Sequence, residues 1–203
     1  MIIGFTCASV NQISANEDIS LFEKYITKCF NDSQNLMVSE NGIDATEEFL
    51  NNYSEEYLSG NLDSIREYIN QENVDICYVE TVNKERKTDS VAKIYQFYKA
   101  ATDSTGTFTK EWLISLQCYI TWDGNTYRIT SVNTPLLYIS NASWGSNWSP
   151  YLTNVGTNYS INANRTAVTF SGNYTMMGCY TIRTGITKTY NFGSYYVTQT
   201  FTV

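Results

Sequence analysis

Histidine is absent from this chain of 203 residues. Its absence removes every Ser–His or Cys–His nucleophilic pair and the usual neutral-pH proton carrier. Glycine-rich phosphate loops are missing too, with neither a Walker pattern nor a dinucleotide fingerprint present. No Cys-x-x-Cys pair occurs, which leaves zinc without a ligand set, and no Asp-x-Asp-x-Asp-Gly loop is there for calcium. No cofactor or metal is therefore expected. Nor does any apolar run approach the ~18 residues of a membrane-spanning helix, so no transmembrane segment is predicted.

Positive charge is also scarce. Thirteen Lys/Arg face twenty Asp/Glu, for a net charge of −7. Residues 1–90 hold 17 acids and 6 bases (net −11), and residues 91–203 hold 3 and 7 (net +4). An acidic chain repels phosphate backbones, which argues against a nucleic-acid partner.

What is present is apolar and aromatic. Hydrophobic residues at 42% and aromatics at 15% supply enough area to offset the entropy of ordering a chain. Seventeen tyrosines against two prolines suit half-buried strand faces.

Residues 1–15 have the form of a truncated secretory leader, the alternative being an ordinary N-terminal strand. A short apolar stretch from Ile2 to Val10 leads to Ile13-Ser14-Ala15, small residues of the kind signal peptidase cuts after, but no basic start precedes it. Gly4-Phe5-Thr6 is a poor lipobox for an anchor at Cys7. The location expected on this reading is secreted or cell-surface. After Ala15 four cysteines remain, Cys29, Cys77, Cys118 and Cys179. They allow two disulfides, most simply Cys29–Cys77 and Cys118–Cys179, or four buried thiols acting as small hydrophobes. Seven Asn-x-Ser/Thr triplets begin at Asn31, Asn52, Asn141, Asn147, Asn158, Asn164 and Asn173. They have the form of glycosylation acceptors of a eukaryotic secretory pathway, but a chain so rich in these residues produces such triplets by chance, the reading favoured here and with it a bacterial surface or secreted protein.

Residues 16–72 read as an acidic helical region, its first helix running from Glu17 to Phe30 until Asn31-Asp32-Ser33 breaks the pattern. Ile19, Phe22, Ile26 and Cys29 share one face, and Ser20 with Glu23 resembles a capping box. A second helix is predicted over 45–58, carrying Phe49, Tyr53 and Tyr57 and capped by Asp44; a third runs over 62–70 through Ile65 and Ile69. Beyond residue 73 the period becomes two. Val74, Ile76, Tyr78 and Val82 read as a strand, and Val91–Ala101 as another. Trp112, Ile114, Leu116, Cys118, Ile120 and Trp122 alternate cleanly before Asp123-Gly124, a strong hairpin signal. Residues 135–164 read as a polar, aromatic loop. Alternation returns at Ala167–Phe170, Tyr174–Ile182 and Tyr195–Val203, with Gly172, Gly185 and Gly193 read as turns.

The expected architecture is α+β: short N-terminal helices followed by an antiparallel β-sandwich or barrel-like domain. The expected function is a non-catalytic binding module for a protein or glycan. Its candidate residues are Trp144, Trp148 and Tyr151, aromatic rings among Asn and Ser that can stack on a sugar face or anchor a partner. The alternative is that Trp144 and Trp148 fold back onto the sheets. Two other functions fit less of the sequence. A two-carboxylate hydrolase would draw on Asp103, Glu111 or Asp123, and a toxin would insert amphipathic strands into membrane.

Overall fold

A computed structural model describes residues 19–71, 73–82 and 89–203. The leader-like residues 1–15 lie outside that range. Among the described residues three α-helices and ten strands occur, and every strand pairing there is antiparallel.

Helix α1, Leu21–Asn31, begins where Ser20 accepts a hydrogen bond from the Glu23 amide at 3.1 Å. Its buried face is Leu21, Phe22, Tyr25, Ile26 and Cys29. Next comes a hairpin that the helical reading of residues 16–72 did not include, β1 (Leu36–Glu40) and β2 (Ile43–Asp44). Its turn is Asn41-Gly42, both with positive φ, a pair that a tight turn of this hand selects. Helix α2, Thr46–Ser59, starts at Ala45; Asp44 instead accepts from the Thr46 amide at 2.9 Å. It ends at Gly60 in the left-handed conformation, and α3 follows over Asp63–Ile69.

The larger sheet takes the order β2-β1-β3-β4-β5-β6, using β3 (Val74–Val82), β4 (Ser90–Thr102), β5 (Thr109–Asp123) and β6 (Arg128–Val132). Strand β7, Leu136–Asn141, lies beside the middle of β5 as β6 lies beside its last residues. This sheet curls as a half-barrel. The second sheet has three strands in the order β10-β9-β8: β8 (Trp148–Ile161), β9 (Ala167–Arg183) and β10 (Ile186–Thr202).

Two cores result, one on each face of the larger sheet. On one face Phe22, Ile26, Phe49 and Ile65 of the helices meet Val74, Ile76, Tyr98 and Leu113. On the other, Phe97, Trp112, Ile114 and Leu116 meet Val168, Phe170, Tyr174 and Met176 of the smaller sheet. Trp112 is fully buried and Trp122 packs at the margin against Phe201. The hairpin at Asp123-Gly124 forms as predicted, although its turn spans Gly124–Tyr127.

Three sequence expectations need correction. The segment read as a loop over 135–164 contains β7 and the 14-residue β8. Strand β8 is an edge strand, where Pro150 can sit without costing a ladder bond. Gly172 and Gly193 lie within strands rather than in turns. A Cβ at Gly172 would come within 3.1 Å of Leu137, so the larger sheet's side chains approach the bare backbone there. Gly193, at φ +108, marks a bulge in β10.

The third correction concerns the proposed disulfides, because Cys29, Cys77, Cys118 and Cys179 are free thiols. Cys29 belongs to the helix-side core, whereas Cys77 points to the opposite face of the larger sheet. Cys118 points into the space between the sheets, whereas Cys179 alternates with the inward Met176 and Tyr180 phase of β9 and faces out. Each proposed bridge would have to pass through a sheet. Burial pushes the Cys29 and Cys118 thiols up to about 12.

Candidate functional site

The three aromatic residues singled out in the sequence separate in the structure. Trp144 is 4% exposed and belongs to the inter-sheet core. Its Nε1 donates to the Glu111 carbonyl at 2.6 Å, and its ring meets Trp112 edge-on at 6.2 Å. Trp148, at the start of β8, is half-buried between Phe108, Tyr180 and Tyr190. Lys110 closes over it with Nζ 4.6 Å from the ring centroid and donates to the Trp144 carbonyl at 3.3 Å. Burial lowers the Lys110 pKa. Of the three, Tyr151 is the ring left open, at 37% exposure on β8.

The carboxylates of the β-rich part are held structurally. Asp103 accepts bonds from the amides of Thr105, Thr107 and Phe108 and from the Thr105 hydroxyl. Burial works to raise its pKa, yet those bonds hold it at about 2. Glu111 is paired with Arg66, and Asp123 accepts from the Asn125 amide inside its own turn. Among the described residues no group of three metal-ligating side chains converges.

Tyr151 belongs to a larger surface that the sequence reading did not assemble. Because Val168, Phe170, Tyr174 and Met176 point inward, the odd-numbered residues Thr169 to Met177 of β9 point out, and register carries that assignment to its neighbours. Cross-strand rows on the outer face run Tyr151–Met177–Asn191, Thr153–Thr175–Ser194, Gly156–Asn173–Tyr196, Asn158–Ser171–Thr198 and Ser160–Thr169–Thr200. None of these positions is a carboxylate, a lysine or an arginine.

The face is held in place by short contacts. Thr175 and Ser194 share a hydrogen bond at 2.8 Å, as do Thr169 and Thr200 at 2.9 Å. Asn173 lies flat over Gly156, where a Cβ would fall 2.6 Å from its Oδ1, and donates to the Asn154 carbonyl at 3.0 Å. Tyr196, 61% exposed, stands on the opposite strand of the same row. The arrangement offers hydroxyl and amide groups and two aromatic rings on one sheet face.

Comparison with protein families, curated proteins and solved structures finds no match to this chain.

Proposed function

We propose that the protein is a secreted or cell-surface, non-catalytic binding module whose contact surface is the outer face of β8, β9 and β10. In this reading the two sheets face each other as an antiparallel sandwich, and the ligand is an uncharged glycan. The observation that carries the proposal is the uncharged face itself: several cross-strand rows of hydroxyl and amide groups, with Tyr151 and Tyr196 standing out of them, in a protein of net charge −7. Aromatic rings stack on sugar faces while hydroxyls and amides exchange hydrogen bonds with sugar hydroxyls. A highly charged partner would find nothing here to pair with.

The extracellular location rests on the leader-like residues Ile2 to Ala15, and the free thiols add no support to it. The binding reading is tested by applying the full chain and a Tyr151→Ala/Tyr196→Ala variant to an array of neutral and acidic glycans. Binding of neutral glycans by the parent, reduced at least tenfold in a variant that melts at the same temperature, is the expected result. No neutral glycan bound, or equal binding by both proteins, would remove the proposal.

A further inference from the structure

A second surface lies on the other side of the larger sheet, in a cleft of about 260 Å³ between α1 and the β4–β5–β7 strands. Lys24 and Lys28, one helical turn apart, face Gln96, Ser140 and Asn141 across it. Leu21 and Leu113 line the same cleft with apolar surface, and both are nearly buried.

The two lysines are not equivalent. Lys28 is paired with Glu80, donates to Gln96 Oε1 at 2.9 Å and lies 4.0 Å over the Tyr78 ring. It is a fixed structural cation. Lys24 has no carboxylate within ion-pair distance among the described residues. Of the cations described in the acidic first 90 residues, Lys28 and Arg66 are matched by Glu80 and Glu111, and Lys24 remains.

The amides beside it are also oriented. Lys28 holds the Gln96 side-chain oxygen, which leaves the Gln96 Nε2 hydrogens as donors. The Gln96 carbonyl accepts from Tyr25 at 2.8 Å, so the strand is tied to α1 at this point. Ser140 donates to the Leu113 carbonyl at 3.4 Å, which leaves its oxygen as an acceptor toward the cleft. One unmatched ammonium, amide donors, a hydroxyl acceptor and a small apolar floor suit one kind of ligand.

We infer that this cleft binds a small hydroxylated carboxylate of the sugar-acid class, with the carboxylate on Lys24, the hydroxyls on Gln96, Ser140 and Asn141, and the ring over Leu21 and Leu113. Glu80, bound to Lys28, turns an anion away from that end and places the carboxylate at Lys24. The site does not depend on the outer face of β8–β10.

The test is a titration of the full chain by NMR with D-glucuronate and N-acetylneuraminate, with glucose and N-acetylglucosamine as neutral controls. Dissociation constants of about 1 mM are expected for the acids, the range for a single exposed charge and a few hydrogen bonds. Shifts should centre on Lys24, Gln96 and Asn141. Lys24→Met, which keeps the apolar stem, should weaken binding at least fivefold, and raised salt should weaken it as well. Asn141→Ala should weaken it about threefold without altering the fold.

A sialylated oligosaccharide and its desialylated form distinguish a glycan end from a free acid. Binding of the sialylated chain assigns the cleft to glycan termini, and binding of the free acids alone assigns it to a soluble metabolite. No shifts at these residues, equal shifts with neutral sugars, or unchanged binding by Lys24→Met would overturn the inference.

Discussion

The indole of Trp144 rests on the bare backbone of Gly178. A Cβ at position 178 would lie 2.7 Å from Trp144 Cζ3 and 3.0 Å from both Phe192 and Trp148. A methyl group there must displace three aromatic rings at once, and close-packed cores yield little. Gly178→Ala is expected to destabilise the protein by ~1–3 kcal/mol, measured by urea unfolding. Trp144→Ala, which empties the same site, should cost ~3–5 kcal/mol. If both substitutions leave the unfolding midpoint in place, the ring does not occupy this seat.

Asp103 predicts how the fold responds to acid. Its carboxyl sits at about 2 in the folded chain, against ~3.9 when unfolded. A lowered folded-state value contributes stability that is complete above pH ~4 and disappears as the pH falls toward 2. The urea midpoint should therefore fall across that window. Asp103→Asn should lower the midpoint at pH 7 and flatten the decline below pH 4. An acid limb that is unchanged in the variant would show that other carboxylates govern it.

Cysteine chemistry should divide by layer. Cys29, Cys77 and Cys118 are buried and Cys179 is partly exposed. Mild alkylation at pH 8 followed by peptide mass spectrometry should modify Cys179 in the native protein. The other three should react after denaturant is added, because their burial suppresses the thiolate. Rapid native labelling of Cys77 would contradict its place between the sheets.

Arg66 joins the helices to the larger sheet. It is paired with Glu111, lies 4.1 Å over the Phe22 ring and reaches the Tyr98 hydroxyl at 3.4 Å. Arg66→Ala should cost ~1–2 kcal/mol through the lost ion pair and ring contact. Arg66→Lys should restore part of that loss, since an ammonium cannot reproduce the planar stacking. Complete recovery by lysine would indicate that charge alone matters at this joint.

The parts of this fold that can be read in the sequence are those whose period is unbroken. Trp112 to Trp122 keeps one phase on β5, and the residues predicted to share a face do so. The helices follow for the same reason, with Ser20 capping where it was expected. Strand β8 hides because its residues are largely Ser, Thr, Asn and Tyr, and because a bulge between Thr153 and Gly156 shifts its phase midway. Strand β10 shifts phase in the same way between Asn191 and Gly193. The β1–β2 hairpin did carry a signal, Asn41-Gly42 beside Leu36, Val38 and Ile43, but it lay in the short gap between two segments of helical spacing. Of the three aromatic residues singled out in the sequence, Tyr151 alone stands on the outer face of β8–β10. Trp144 among Asn, Ser and Gly reads locally as an exposed ring, and nothing near it in sequence announces the glycine on β9 that receives it.

The strand that carries Trp112 on one face carries Leu113 and Ser115 on the other, and the two faces serve different cores. Inserting or deleting one residue within β5 would exchange those inventories, sending tryptophan toward the helices and serine toward the smaller sheet. The resulting damage would reach both layers in a single step, without local repair in either. Length variation in related chains should thus collect at the turns that bound β5, leaving its internal spacing invariant.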